Sequence, residues 1–353
     1  MWTAIQTKSR RWMLIGLALA LVVGLPTAAF LSLFVPYRGF AEETFVRLER
    51  GTSAVATGRV LAEAGVIRYA WQFWIERALH PRAKLQAGEY RFEQAAAVRD
   101  VFDKLARGDV YYVEFTVPEG SNMFDIAKAL EAAGIMPAED FLRAAADPAP
   151  IHDLAPHAET LEGYLFPATY QLSHWVTAAD LCRRMTEQFR RHWTKLARAA
   201  SGDVPSEPAV NATVTLASLV EKETGVPGER PIIAGVFTNR LEKGMRLECD
   251  PTTIYAALLE NRYRDAIHRS DLASQNPYNT YQHTGLPPGP IANPGEASIT
   301  AALHPAETDY LYFVAKSEGG GHRFSTTLAA HQKATEEYRH GRGSSAKKAR
   351  KAG

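Results

Sequence analysis

The chain opens with an apolar run that no charge interrupts over residues 12–35, preceded by Lys8, Arg10 and Arg11. That run exceeds the ~20 helical residues a bilayer core takes, so it predicts a retained transmembrane helix. Its basic flank would stay in the cytoplasm, with everything beyond the helix exported. The competing reading is a cleaved signal peptide, whose apolar region usually holds only about 7–15 residues; Pro26 and Ala28–Ala29 are the features that leave room for it. Beyond residue 40 the pattern breaks into short stretches. Segments 45–67 and 115–135 share one order, a short strand, a glycine turn, a Ser/Thr helix start, an amphipathic helix and a glycine stop. Gly51 aligns with Gly120, Thr52 with Ser121, Leu61 with Leu130, Gly65 with Gly134 and Val66 with Ile135. A similar strand–helix order lies between the copies, so 40–140 reads as a repeat of small βα units.

From about Ile151 the composition shifts. Residues 161–173 carry Tyr164, Phe166 and Tyr170 beside Glu162. Aromatic faces stack on sugar rings, so this is either a substrate groove or packed core around one buried acid. Residues 174–200 read as a helix with a basic, solvated face. An apolar helix follows and ends near Glu223, where Gly225, Pro227 and Gly228 predict a hard stop with a left-handed glycine cap. Pro231 suits the first turn of the next helix, whose Ile232, Ile233, Val236, Phe237 and Leu241 have helical spacing up to Gly244. Residues 276–295 are too rich in Pro, Gly and Asn for regular structure and predict a preorganised wall dense in hydrogen-bonding groups. A buried strand at 310–314 leads through a glycine turn to 322–325, and 341–353 reads as a disordered basic tail.

Composition narrows the function classes. With 40 Lys+Arg against 39 Asp+Glu the net charge is +1, which gives no basic surface for nucleic acid. No phosphate-binding loop, HExxH or paired CxxC occurs, so neither a nucleotide, a metal nor another cofactor is called for. The two cysteines, Cys182 and Cys249, read as free or buried thiols.

The chemistry concentrates at the end of the apolar helix. Glu223 shares a face with Val220, Leu219 and Leu216, whereas Glu221 lies about 200° around the helix with Ser218, Ala217 and Val214 behind it. One carboxyl is thereby expected on an apolar wall and the other off it. Desolvation disfavours the charged form of a carboxyl, so Glu223 can hold a proton near neutral pH and give it to a leaving oxygen, as a glycosidic general acid does. A solvated helix-end glutamate is the ordinary alternative.

The strings LASLVEKET, VFTNRLEKGMRLECDPTTIYA, NPYNTYQHTGLPPGPIANPG, AALHPAETDYLYFV and HRFSTTLAAH, in that order, resemble the membrane-bound endolytic murein transglycosylase (YceG-like) family. The resemblance implies cleavage of the MurNAc–GlcNAc bond of peptidoglycan strands, leaving 1,6-anhydro-MurNAc ends. It places the catalytic glutamate, the second Glu of the E-K-E motif, on Glu223. It further implies an α+β fold with a cytoplasmic N-terminus (1–11), an inner-membrane anchor (12–35), a LysM-like subdomain (40–140) and a periplasmic catalytic domain (150–340). Cutting of nascent strands beside penicillin-binding synthases is also implied. Glu162, Asn239, Asp250, Tyr278, Asn279, Thr280 and Asn293 are the expected substrate contacts. Two rival functions stay open: a hydrolytic muramidase using Glu162, Glu221 or Asp250 as second carboxylate, and a non-catalytic, membrane-tethered glycan-binding scaffold.

Overall fold

The computed structural model describes residues 13, 16, 20–201, 207–317 and 320–352, which divide into two compact units. The first is Met1–Val113 with Gln171–Trp175; the second is Glu114–Tyr170 with Val176–Gly353. Much of the expected 12–35 span lies outside the described residues, and among those described no helix is long and apolar enough to cross a membrane. A π-helical turn (Ala20–Gly24) leads into helix α1 (Leu25–Leu31) and a 3-10 turn (Ser32–Phe34). The far edge of the expected span is corrected. Leu33 is fully buried in the first unit's core, and Ser32 Oγ accepts a hydrogen bond from Gln72 Nε2 at 3.1 Å.

In the first unit the order is strand, helix, helix, strand. β1 (Thr44–Leu48) and β2 (Gly88–Phe92) pair antiparallel with Val46 opposite Tyr90, and α2 (Ala54–Glu63) and α3 (Ala70–Leu79) come between them in sequence. With α4 (Val98–Arg107), whose apolar stripe is Val98, Val101, Phe102 and Leu105, they enclose a core that includes Leu61, Phe73 and Tyr90.

The repeat recurs bond for bond. Ser53 Oγ caps α2 by accepting from Ala56 N–H at 3.2 Å, and Asn122 Oδ1 caps α5 (Met123–Ala132) by accepting from Asp125 N–H at 2.8 Å. The preceding turns close from Thr52 N–H to the Glu49 carbonyl and from Ser121 N–H to the Pro118 carbonyl. Both helices end at left-handed glycines, Gly65 (φ 70°) and Gly134 (φ 67°), a conformation other residues adopt only with strain. The second copy continues through α6 (Ala138–Ala145), and β3 (Val113–Thr116), which opens it, pairs with β4 (Thr169–Leu172). This copy belongs to the second unit, so 40–140 is not one compact body. Its turn is tied there by Gly120 N–H to the Asn293 carbonyl and Asn293 N–H to the Ser121 carbonyl, each 2.9 Å.

The rest of the second unit is mostly helical. α7 (Ala178–Ser201), α8 (Glu207–Glu223) and α9 (Arg230–Glu242) are followed by α10 (Asp250–Leu259), α11 (Arg269–Leu272) and α12 (Glu296–Leu303). Strands β5 (Tyr312–Ala315) and β6 (His322–Ser325) form an antiparallel hairpin before α13 (Leu328–Ala352). That last helix continues through 341–352, where composition predicts a disordered tail; the Ala, Lys and Arg of that stretch are strong helix formers. α8 and α12 pack directly together, and α8 is buried nearly all round. The aromatic 161–173 segment is packed core: Tyr164 is fully buried, its ring edge-on to Phe189 at 5.1 Å and its hydroxyl donating to Asn211 Oδ1 at 2.8 Å.

Candidate active site

Glu223 ends α8. The chain then breaks, but not through a left-handed glycine, since neither Gly225 nor Gly228 has positive φ. Instead Thr224 Oγ1 accepts from Val226 N–H at 3.0 Å, and a 3-10 turn (Pro227–Glu229) starts α9 with Pro231 in its first turn. This turn sets the Glu223 side chain at a cavity of 260 Å³, lined also by Arg240, Leu247, Glu248, Asp250, Tyr281, Phe313 and His331.

Burial pushes the Glu223 carboxyl up from its ordinary range. A hydrogen bond from the Cys249 thiol opposes that push, the Asp250 carboxylate adds to it, and the charges of His322 and Arg240 oppose it again; the net direction is upward. Arg240 is itself fixed, its Nε donating to the Leu311 carbonyl at 2.6 Å and its Nη1 to the Leu247 carbonyl at 2.9 Å. His322 is held twice by Glu229: its N–H donates to Oε1 at 2.7 Å, and Nδ1 lies 2.8 Å from Oε2. Asp250 opens α10 at the exposed rim and accepts from the Tyr281 hydroxyl at 2.7 Å.

Glu221 departs from the helical-face expectation. Its side chain is only 7% exposed, and Val214, Ala217 and Ser218 behind it are as buried as Leu216, Leu219 and Val220 behind Glu223. Partners distinguish the two glutamates. Glu221 accepts from Gly295 N–H at 3.0 Å and has the Arg230 guanidinium 3.7 Å away, whereas Glu223 faces the cavity.

The remaining expected contacts separate into two groups. Glu162 and Asn293 form a buried cluster of their own. Glu162 accepts from Met123 N–H and from Asn293 Nδ2, each at 2.9 Å, and its carboxyl and the Tyr255 hydroxyl influence each other's ionisation; Tyr278 packs on the Tyr255 ring at 5.1 Å. Burial pushes the Glu162 carboxyl up to about 8. Asn239, Asn279 and Thr280 build walls and do not line the cavity. Asn239 Nδ2 donates to the Thr308 and Tyr310 carbonyls, and Asn279 Nδ2 to the carbonyls of Asp271, Leu272 and Ser274. Thr280 Oγ1 accepts from Cys249 N–H at 2.9 Å. Arg240, Glu248, His322 and His331 complete the site unforeseen, because their approach to Glu223 depends on tertiary packing. Both cysteines are free and buried.

A desolvated carboxyl at a cavity, with Arg240 and His322 held beside it on an α+β scaffold, is an arrangement chemically able to hold and pass a proton. The chain belongs to the YceG-like family, whose pattern it matches over residues 46–337. It is 35% identical over 311 residues to the endolytic murein transglycosylase of Bacillus subtilis, covering 83% of this chain and 84% of that one. Its identity to the protein of the same name from Streptococcus pneumoniae is 27%, over 83% of this chain and 58% of that longer one. A crystal structure of a yceG-like protein from Listeria monocytogenes superposes with a TM-score of 0.54 at 31% identity, over 83% of this chain and 98% of that one.

Proposed function

We propose that this protein is an endolytic murein transglycosylase with Glu223 as its acid–base group. The observation that carries the reading is the placement of Glu223: a carboxyl raised by burial, at the mouth of a cavity, on the E-K-E motif of a family whose curated members bear that activity. In the first step Glu223 gives its proton to the oxygen between MurNAc and GlcNAc as the glycosidic bond breaks. Positive charge grows at C1, and the anionic Glu223 and Asp250 stabilise it electrostatically. In the second step the Glu223 carboxylate takes the proton of the MurNAc C6 hydroxyl while that oxygen closes on C1. The substrate's own hydroxyl is held at the reacting carbon, so no second protein base has to aim a water.

Asp250 favours the runner-up, a hydrolytic muramidase, because it is a second carboxylate at the same cavity. Mass spectrometry of digested murein separates the readings: anhydro ends for the transglycosylase, reducing ends for the muramidase, intact strands for a glycan-binding scaffold. The first unit suits a LysM-like strand-holding role. Its strand–helix–helix–strand order leaves a 360 Å³ cavity between the β1–α2 turn (Glu49, Arg50, Gly51, Thr52) and the approach to β2 (Leu85, Gln86, Ala87). The uncharged run that begins at residue 12 supports a single inner-membrane anchor with the enzyme in the periplasm, and the family resemblance adds a place beside the penicillin-binding synthases that make the strands it cuts.

A further inference from the structure

His331 lines the Glu223 cavity but has no part in the two proton transfers. It sits in the first turn of α13, its N–H donating to the Thr327 carbonyl at 3.1 Å and its carbonyl accepting from Thr335 Oγ1 at 2.9 Å. The imidazole stacks on the ring of Tyr312 in β5, with centroids 5.2 Å apart and planes 20° from parallel. The Arg240 guanidinium lies 5.2 Å from the centre of that same ring, so Tyr312 ties the imidazole to the frame that fixes Arg240. Nδ1 is buried and has no hydrogen-bond partner among the described residues. A neutral imidazole carries one N–H and one bare nitrogen, and a buried N–H without an acceptor is costly. The proton therefore belongs on Nε2, and a second proton on Nδ1 would have no acceptor. Burial, and then the Arg240 charge, pull the imidazole below its ordinary range against the opposing Glu248, in keeping with a ring that stays neutral. Because the Nδ1 edge is enclosed by protein, Nε2 is the polar atom left to the ring at the cavity.

We propose that His331 is a specificity-determining residue whose Nε2–H donates to the acetamido carbonyl of the sugar in the Glu223 cavity. The other donors there are engaged. Arg240 gives Nε and Nη1 to main-chain carbonyls, the Tyr281 hydroxyl goes to Asp250 Oδ1, and the Glu223 proton goes to the scissile oxygen. The class of ligand follows from the donor. With Nδ1 enclosed, His331 gives one hydrogen bond to the cavity and takes none. A sugar hydroxyl both gives and takes, whereas an amide carbonyl only takes, and GlcNAc and MurNAc each carry one in the acetamido group. Carbonyls of the peptide stem are the rival acceptors, and removing the acetyl groups alone separates the two.

The inference rests on murein cleavage at Glu223, and its test is a double-mutant cycle between His331 and the acetyl groups. The full chain is assayed on murein and on the same murein after chemical de-N-acetylation. His331→Phe keeps an aromatic ring on Tyr312 and removes the N–H. On intact murein it should raise KM about tenfold with little change in kcat, the mark of an interaction made equally in bound substrate and transition state. On de-N-acetylated murein the native protein and His331→Phe should have the same KM. His331→Gln keeps an N–H near the place of Nε2 and should recover most of the loss on intact murein. Co-sedimentation with the two mureins reads the same cycle without cleavage. Absent activity, or activity that survives Glu223→Gln, would therefore refute the catalytic reading while the contact is still tested. Equal losses on both mureins overturn the proposal in favour of a stem carbonyl or of packing alone. Nitrogen NMR of histidine-labelled protein overturns it too if the His331 proton, identified by its loss in His331→Phe, sits on Nδ1.

Discussion

Glu162 offers a prediction that changes sign with pH. In the folded protein its carboxyl titrates near 8, against an ordinary value of 4.5, because burial disfavours the anion. The folded state therefore binds the proton more tightly than the unfolded chain. This contribution to stability is fully present below about 4.5 and is lost as pH rises through about 8. At ~1.4 kcal/mol per pH unit, the change across that window is about 5 kcal/mol. Glu162→Gln removes the titration but keeps the shape. Glutamine has one acceptor oxygen where Met123 N–H and Asn293 Nδ2 each now bond a separate carboxyl oxygen. One buried donor is then unpaired, at a cost of about 1–3 kcal/mol. At about pH 5 the variant should be less stable by that amount, and at about pH 9 more stable than the native protein by roughly 2–4 kcal/mol. Guanidinium unfolding at the two pH values, followed through Trp193 in the same unit, reads both differences. Parallel pH profiles for the two proteins would show that Glu162 is ionised at neutral pH and refute the reasoning.

Other perturbations follow from the same geometry. Glu221→Gln leaves Arg230 without its carboxylate and should destabilise the protein by about 1–3 kcal/mol, while digestion of murein stays within roughly tenfold of native, well short of the 10²–10⁴ typical of a lost acid–base group. Asp250→Asn keeps the partner of the Tyr281 hydroxyl but removes the charge that pushes Glu223 up, so the alkaline limb of activity should move to lower pH; complete loss of activity would favour the muramidase. Removing residues 1–31 should leave the first unit's stability unchanged. Removing 1–39 also takes Leu33 from the core and should cost at least about 2–5 kcal/mol in a thermal or denaturant melt.

The parts of this fold legible in the sequence are those written locally. The start of α9 at Pro231 and its end at Gly244 (φ 63°) follow from proline and glycine chemistry, whereas the break after Glu223 is made by Thr224 and the Pro227 turn rather than by the expected glycine cap. The duplicated turn–helix–glycine unit was visible because its caps recur at matching positions. Asp250 and Pro251, an acid and a proline at a helix start, mark α10 in the same local way, although no helix is expected there in the sequence reading above. Periodicity pointed to Glu223 for an incomplete reason, since α8 is buried on both faces. The discriminating partners, Arg230 on the next helix and Gly295 far along the chain, are tertiary facts that no local pattern carries. The same holds for Asn239 and Asn279. Their amides look available for a sugar until the fold brings backbone carbonyls to them.

The central claim is that Glu223 acts alone and that the substrate's own hydroxyl, not water, closes on C1. Digestion of murein in heavy-oxygen water, with mass spectrometry of the cut ends, tests it most directly. The account predicts 1,6-anhydro-MurNAc ends that carry no label, formed by the native protein and reduced at least about a hundredfold by Glu223→Gln. Labelled reducing MurNAc ends as the main product, or unimpaired cutting by a folded Glu223→Gln protein, would contradict it.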